Sequence, residues 1–393
     1  MYNVILKQNE EKRILAFHPW IYANEVSKIT GKDKQGSICK VLSFNGNIIG
    51  YGYINHASKI IVRMLEVTSE EKDASSYDYD YFKSLIKKAN DNRTSLGYDN
   101  AYRVIFSESD NLPGLIVDKY DKYLSCQFLT LGMDIRKDMI KDILVDIFKP
   151  EGIYERSDVA IREKEGLKEA KGLLYGSVPE SITIKENGLL INVDIINGQK
   201  TGYFLDQQAN RDKLKYYAKD KKVLDCFCNV GGFSLCAAKN GANEVISLDI
   251  SQRAIDEVNK NALLNGFKNI KPICIDVFKA LREYKEQGNK FDVVILDPPA
   301  FIKSIDAIKE GYKGYLDINT LGLKLINKGG YLITCSCSQH LTLNLFMKMI
   351  SESIAHAKVE AKLIDLSFQG KDHASLLNMD EALYLKVAII QVM

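Results

Sequence analysis

Two segments near the end of the chain carry residue types that could do covalent chemistry. The segment Asp297-Pro-Pro-Ala-Phe301 sets a carboxylate against two rigid prolines, and the segment Thr334-Cys-Ser-Cys-Ser338 supplies two thiols. A thiolate is a strong nucleophile, although an ordinary cysteine is only slightly ionised near neutral pH. Together the segments predict a site that binds a substrate ring through the carboxylate and attacks it with sulfur.

Methylation of a pyrimidine at carbon 5 is the chemistry that this pair of segments fits. Carbon 5 of cytosine is a poor nucleophile, and addition of a thiolate to carbon 6 raises its electron density. Asp297 could bind ring nitrogen 3 and the exocyclic amine, which would distinguish cytosine from uracil. Cys335 and Cys337 share one face of a predicted strand, and Cys337 lies nearer the carboxyl end, where such sheets bind ligands. Cys337 is therefore the predicted nucleophile, and Cys335 is the alternative.

A cofactor site is predicted upstream of these segments. From Val223 an apolar strand leads into the glycine-rich turn Asn229-Val-Gly-Gly232 and then into a helix, which is the layout of a nucleoside-cofactor site. The G-x-G-x-x-G fingerprint of dinucleotide sites is absent, so the predicted cofactor is the methyl donor S-adenosylmethionine. Its predicted contacts are Asp225, Phe227, Gly231, Asp249, Asp276, Val277 and Asp297.

Three of these carboxylates have distinct expected roles. Asp225 is expected to orient the glycine turn or to bind the ammonium group of the cofactor. Asp249 follows Asp225 at about the spacing at which a carboxylate on the second strand accepts hydrogen bonds from both ribose hydroxyls. The alternative is that Asp249 is a solvated acid at a strand end or a helix cap before Ser251. Asp276 is expected to bind the adenine amino group while Val277 packs against the ring. Cys226, Cys228 and Cys236 are expected to be small core residues.

Alternating strands and helices must position these residues. From Lys222 onward the pattern predicts a doubly wound parallel sheet, with an acidic residue at or near the carboxyl end of four of its strands. The predicted strands begin at Val223, Glu244, Ile270, Phe291 and Gly330.

The preceding sequence predicts two further domains. Residues 1–70 are rich in short β-like runs, with a hairpin signal at Asn45-Gly46, and the polar segment Ser69–Ser76 resembles a linker. Residues 71–180 mix strands and helices without strict alternation, which indicates an α+β domain. Residues 181–393 form the doubly wound domain, led by a hairpin over residues 182–193.

Composition limits the remaining classes. The chain has 393 residues and a formal net charge of +2, so bulk electrostatics do not indicate a nucleic-acid partner. The close pairs among its 8 cysteines lack zinc-knuckle spacing, so neither disulfides nor a structural metal are expected. No signal peptide or apolar span is evident, and a cytoplasmic protein without a membrane partner is expected.

At these residues the chain resembles the bacterial large-subunit ribosomal RNA cytosine-carbon-5 methyltransferases of the RlmI type. His18-Pro-Trp-Ile-Tyr22 resembles their PUA-like RNA-binding domain, and residues 106–118 and 154–162 resemble their middle domain. Residues 200–207, together with the two catalytic segments, resemble their S-adenosylmethionine-dependent methyltransferase domain. The resemblance implies a structured ribosomal RNA substrate, catalysis by Cys337, and contributions from Phe204 and Gln207 to the cofactor pocket.

Several alternatives remain open at this point. Better-known RNA cytosine methyltransferases carry a second cysteine directly after the Pro-Pro, where this chain has Ala300, so product release cannot use that thiol. One rival is a methyltransferase for a purine nitrogen without covalent catalysis, and another is a non-catalytic RNA-binding or ribosome assembly factor. A nicotinamide oxidoreductase is disfavoured by the missing glycine fingerprint. A homodimer is compatible with the resemblance.

Overall fold

Six strands form the first sheet in the computed structural model, which describes residues 1–393. The strands are β1 (Tyr2–Leu6), β2 (Trp20–Tyr22), β3 (Val26–Thr30), β4 (Ile38–Leu42), β5 (Ile48–Ile54) and β6 (Ile60–Val67), with a short helix α1 (Glu11–Leu15). Their order across the sheet is β2-β6-β5-β4-β1-β3. The predicted Asn45-Gly46 hairpin joins β4 to β5, and Gly46 has a φ of 84°. Gly50 is required where β5 meets β6, because a Cβ there would lie 2.2 Å from the Glu66 carbonyl oxygen.

Five strands form the second sheet, in the order β11-β10-β9-β8-β7. Its elements are α2 (Tyr79–Ser95), β7 (Ala101–Phe106), β8 (Leu115–Tyr120), β9 (Tyr123–Phe128), α3 (Leu131–Asp134), α4 (Lys137–Phe148), β10 (Gly152–Ser157) and β11 (Ala170–Gly176). Asp78 caps α2 by accepting the Tyr81 backbone N–H at 3.1 Å. Ile140, Ile143 and Leu144 on α4 are buried at helical spacing, so the apolar face of α4 joins the core.

The contacts divide the chain into two compact units. The first contains residues 1–182, 194–205 and 371–382, and the second contains residues 183–193, 206–370 and 383–393. Both sheets described so far belong to the first unit. The boundaries near residues 70 and 180 stay predictions.

The second unit contains the predicted doubly wound α/β sheet, which is confirmed. A hairpin of β12 (Ile182–Glu186) and β13 (Leu189–Val193) precedes the main strands β14 (Lys222–Cys226), β15 (Glu244–Asp249), β16 (Ile270–Cys274), β17 (Phe291–Leu296), β18 (Ile326–Ser336), β19 (Ala361–Ser367) and β20 (Lys386–Val392). Their order is β16-β15-β14-β17-β18-β20-β19, and β14 to β18 run parallel. The order reverses at β14, so a ligand crevice is expected at the carboxyl ends of β14 and β17.

Six helices accompany this sheet. They are α5 (Gln208–Asp212), α6 (Gly232–Lys239), α7 (Gln252–Leu264), α8 (Val277–Glu286), α9 (Ile308–Lys324) and α10 (Leu343–Ala357). The central strands have buried side chains on both faces, as in the run Val293–Leu296 of β17. No helix in the chain has both the length and the apolar composition needed to cross a membrane.

Two strands of this sheet were not predicted. β20 pairs antiparallel with β18 and with β19, so it lies between them and closes that side of the parallel sheet. The third strand was expected to run from Ile270 to Asp276, but β16 ends at Cys274 and Asp276 caps the next helix. β20 matters for the site because its first residue is opposite Ser336, one position before Cys337.

Candidate functional site

The turn after β14 has an unusual backbone. Phe227 and Asn229 have φ values of 63° and 49°, in the left-handed region that few residues other than glycine adopt. The backbone N–H of Asn229 donates to Asp249 at 3.0 Å, which ties the turn to the end of β15. Gly231 has a φ of 89°, and a Cβ there would lie 3.2 Å from the methyl groups of Val258. Gly231 therefore allows the turn to adopt its backbone conformation and to pack closely against α7. Its contact with a cofactor stays a prediction.

Asp225 is a fully buried carboxyl group at the end of β14. Its Oδ2 accepts a hydrogen bond from Ser234 Oγ at 2.5 Å, whereas its Oδ1 is buried without any hydrogen-bond partner. Burial raises the pKa of Asp225 to about 7, and the nearby carboxylates Asp297 and Asp249 also raise it. A buried acceptor with no donor is costly, so this oxygen is suited to receive a cationic or N–H group from a ligand.

Asp249 holds the loop that follows β15. Its two oxygens accept the backbone N–H groups of Asn229 at 3.0 Å and Ser251 at 2.9 Å. Ser251 itself caps α7, so the alternative in which Asp249 caps that helix is not what the structure has. The next residue, Ile250, is 72% exposed. Sequence reasoning did not single out this exposed apolar side chain next to Asp249.

Asp276 and Val277 are engaged by the helix that they begin. Asp276 is the N-cap of α8 and accepts the Lys279 backbone N–H at 2.9 Å. Val277 is 3% exposed and belongs to the main apolar core of the unit. Helix capping and core packing are enough to explain why these two residues occupy their positions. Adenine binding by them stays a prediction.

Asp297 is held by a chain of amide groups. Gln207 donates its side-chain amide N–H to Asp297 Oδ1 at 3.0 Å, and Asn210 donates to the side-chain oxygen Oε1 of Gln207 at 2.8 Å. The hydroxyl of Ser367 in turn donates to Asn210 at 2.9 Å. Gln207 and Asn210 are both buried. Gln207 contacts Asp297 directly, and its predicted place in the cofactor pocket stays a prediction.

The two thiols of the second segment differ in environment. Cys335 is fully buried on β18, opposite Val387. Burial raises the pKa of Cys335 well above the usual range, and the charge of Asp297 raises it further. Cys337 follows the end of the strand and is half-buried. The thiolate form is therefore strongly disfavoured at Cys335, and Cys337 is the accessible thiol.

Hydrogen bonds fix the backbone beside Cys337. The hydroxyl of Ser338 accepts the Ile302 backbone N–H at 3.1 Å and lies 2.9 Å from the hydroxyl of Tyr315. The ammonium group of Lys386 donates to the Ser338 carbonyl oxygen at 2.9 Å. Ser338, Tyr315 and Lys386 are all buried. Sequence reasoning singled out none of these three contacts.

Aromatic rings pack beneath the Asp-Pro-Pro segment. Phe301 has its ring centroid 4.7 Å from that of Tyr315, 5.9 Å from Phe278 and 6.4 Å from Phe227. Phe227 thus contributes to a packed cluster, and its contact with a cofactor stays a prediction. Phe301 is engaged in the same cluster. The residue directly after the two prolines is the small Ala300.

The remaining predicted residues have contacts of other kinds. Phe204 belongs to the first unit, where the ammonium of Lys200 lies 4.5 Å from its ring centroid, and its place in a cofactor pocket stays a prediction. The cysteines Cys226, Cys228 and Cys236 are buried, as predicted.

Comparison with protein families matches two parts of the chain. Residues 4–66 match a PUA-like domain, and residues 159–365 match the S-adenosylmethionine-dependent methyltransferases. The first match spans most of the six-stranded sheet, and the second includes strands β14 to β18 together with Asp225, Asp297 and Cys337.

Curated relatives match the chain over nearly its whole length. The ribosomal RNA large subunit methyltransferase I of Aeromonas hydrophila is 39% identical over 99% of this chain and 99% of its own. The protein of the same name from Vibrio campbellii is 40% identical over 98% of this chain and 97% of its own.

Solved structures share the fold. A Streptococcus mutans protein described as an S-adenosylmethionine-dependent methyltransferase aligns with a TM-score of 0.83 over 100% of both chains, at 23% identity. A methyltransferase complexed with S-adenosylhomocysteine aligns with a TM-score of 0.84 over 100% of both chains, also at 23% identity.

Proposed function

We propose, since this chain belongs to the ribosomal RNA large subunit methyltransferase I family and to the S-adenosylmethionine-dependent methyltransferases, that it methylates carbon 5 of cytosine in large-subunit ribosomal RNA. The observation that carries this proposal is the half-buried thiol of Cys337, just beyond β18, on the edge of the sheet where β17 ends at Leu296, directly before Asp297. Accessible sulfur beside an oriented carboxylate suits covalent catalysis on a pyrimidine.

The residues at the strand ends fit the cofactor of this family. S-adenosylmethionine supplies an electrophilic methyl group on a cationic sulfur, together with an ammonium group. The unpartnered buried oxygen of Asp225 would accept a hydrogen bond from the ammonium group, and Asp249 would accept hydrogen bonds from the ribose hydroxyls. The exposed side chain of Ile250 would pack against the base of the cofactor. We retain Phe204, Gln207, Phe227, Gly231, Asp276 and Val277 as proposed contacts of the same site.

Cys337 is the proposed nucleophile. Its thiolate sulfur forms a bond to carbon 6 of the cytosine ring, and the electron pair of the C5–C6 double bond moves to carbon 5. Carbon 5 then accepts the methyl group and afterwards gives its proton to a base. The electrons of that C–H bond restore the double bond, the S–C6 bond breaks, and the thiolate is regenerated.

Asp297 is the proposed substrate-binding residue. A carboxylate accepts from the exocyclic amine of cytosine, which uracil lacks, so Asp297 discriminates between the two bases. The amide of Gln207 at 3.0 Å keeps this carboxylate in one orientation. Because the target carbon is inaccessible within a base stack, the nucleotide must be single-stranded or flipped out.

One rival is disfavoured by packing. A purine-nitrogen methyltransferase would be favoured by an aromatic residue directly after Pro-Pro, whereas this chain has Ala300, and Phe301 is packed 4.7 Å from Tyr315. If the protein were instead a non-catalytic RNA-binding factor, it would transfer no methyl group to RNA. Homodimer formation and a cytoplasmic location stay predictions.

Product analysis tests the proposal. Large-subunit ribosomal RNA transcript is incubated with the protein and S-adenosylmethionine, digested to nucleosides and separated by mass spectrometry. We expect 5-methylcytidine from the wild type and from Cys335→Ala, and none from Cys337→Ala. Methylation of a purine by the wild type, or full activity of Cys337→Ala, would overturn the proposal.

A further inference from the structure

Lys386 is a buried cationic residue next to the proposed nucleophile. It is 3% exposed and begins β20, where its Cα pairs with that of Ser336. Its ammonium nitrogen lies 2.9 Å from the carbonyl oxygen of Ser338. The side chain therefore starts opposite the residue before Cys337 and ends at the carbonyl of the residue after it, so it runs alongside Cys337.

The placement of this lysine is costly for stability. Burial disfavours the charged form and lowers the pKa of Lys386 to about 8. The only charge that opposes this effect is that of Cys337, which raises the lysine pKa. A buried ammonium group has three N–H donors, and here a single carbonyl oxygen accepts one of them. An anion at Cys337 would supply the missing partner.

We propose that Lys386 is a positioning residue that holds Cys337 as a thiolate, an inference that rests on the proposed role of Cys337 as nucleophile. The thiol of Cys337 releases its proton to solvent water, so its S–H bond breaks, and the ammonium group of Lys386 forms an ion pair with the resulting thiolate. The thiolate then attacks carbon 6. When the S–C6 bond later breaks, the sulfur returns to its place beside the ammonium group.

Thermodynamic reciprocity supports this assignment. If the Cys337 thiolate favours the protonated form of Lys386, the protonated lysine must favour the thiolate by the same free energy. An opposite charge within a few ångströms lowers an acid pKa by about 1 to 3 units. A nucleophile that must ionise near neutral pH gains directly from such a neighbour.

Other titratable groups near Lys386 do not replace this partner. On β18, Cys335 is fully buried and pairs with Val387. On β19, Asp365 forms an ion pair with Lys213 at 2.6 Å and its Cα pairs with that of Ile389. Lys362, also on β19, pairs with Gln391 at the far end of β20. Tyr315 contacts Ser338, and burial raises the pKa of its hydroxyl.

The pH dependence of Cys337 alkylation tests the proposal. Full-length wild type, Lys386→Met and Lys386→Arg are treated with iodoacetamide from pH 5 to 10, and mass spectrometry follows the peptide that contains Cys337. We expect Lys386→Met to move the midpoint to higher pH and to slow alkylation about tenfold at pH 7. Lys386→Arg keeps the cation and should keep a midpoint near that of the wild type.

Controls separate this inference from the proposed function. Cys274 is exposed and serves as an internal thiol whose alkylation profile should not change in any variant. An unchanged Cys337 midpoint in Lys386→Met would overturn the inference, and if that variant does not fold, a midpoint in Lys386→Arg shifted by one unit or more would overturn it. Full methylation activity of Cys337→Ala would instead overturn the proposed function, whatever the alkylation profile.

Discussion

The amide nitrogen of Gln207 lies 3.0 Å from Oδ1 of Asp297 and determines how that carboxylate is presented. Asn210 donates to the side-chain oxygen Oε1 of Gln207 at 2.8 Å, so the amide of Gln207 cannot flip without losing both contacts. A substrate-binding carboxylate must be held in the correct geometry before the ring arrives. This pair therefore links the residues that follow the hairpin to the end of β17.

Replacing Gln207 should impair catalysis more than folding. In Gln207→Leu the carboxylate loses the hydrogen bond from Gln207, and loss of a hydrogen bond to a charged group costs about 1.5 to 3 kcal/mol. We expect kcat/KM for RNA methylation to fall about tenfold to a hundredfold. Steady-state assays with labelled S-adenosylmethionine provide the measurement.

Gln208→Leu is the matched control for this variant. Gln208 is the same residue type at the next position, and its side chain takes no part in the chain of amides that holds Asp297. Equal losses in the two variants would mean that general packing, and not orientation of Asp297, explains the effect.

Asp225 should make cofactor affinity depend on pH. Its pKa of about 7 means that it is mainly protonated below pH 7 and ionised above it. A cationic ligand binds the ionised form better, so the affinity for S-adenosylmethionine should rise as the pH increases to about 7 and then level off. Isothermal titration calorimetry of wild type and Asp225→Asn measures this dependence, which should be absent in the variant.

The same group should affect the stability of the cofactor-free protein in the opposite direction. An acid whose pKa is higher in the folded than in the unfolded state adds stability at low pH, and this contribution is lost as the pH rises from about 4 to 7. Asp225→Asn should remove this slope from the melting temperature, whereas Asp276→Asn, an exposed helix cap, should leave it. A slope that is identical in wild type and Asp225→Asn would contradict the assigned pKa.

Ile250 should contribute to cofactor binding without contributing to stability. It is 72% exposed, so Ile250→Ser removes little buried surface from the cofactor-free protein. If the side chain covers the base of the cofactor, Kd should rise about fivefold, corresponding to about 1 kcal/mol of lost apolar contact. Leu263→Ser on α7, at 81% exposure, is the matched control and should leave Kd unchanged.

The sequence predicted the parallel part of the catalytic sheet because each of its strands is an apolar run followed by a helix. It did not predict β19 and β20, which pair antiparallel although residues 371–382, in the segment between them, belong to the other compact unit. Local periodicity contains no information about such long-range pairing. Lys386 was not singled out, because no strand was predicted at the position where β20 begins.

For the candidate site, the sequence likewise predicted residues at strand ends but not the long-range contacts that hold them. Strand ends indicated Asp225, Asp249 and Asp297, because the carboxyl edge of a parallel sheet is a general property of the fold. The contact between Ser367 and Asn210 joins residues more than 150 positions apart, and no local pattern marks it. Asp276 shows that a local pattern can be ambiguous, because a carboxylate directly before a helix can bind a ligand or cap the helix.

Covalent trapping tests the central claim most directly. In RNA that contains 5-fluorocytidine, carbon 5 cannot lose a proton after methyl transfer, so the S–C6 bond persists and links protein to RNA. Denaturing gels should show a labelled adduct with wild type and Cys335→Ala, and none with Cys337→Ala. An adduct that is lost only in Cys335→Ala, or no adduct from a wild type that methylates ordinary RNA, would contradict attack by Cys337.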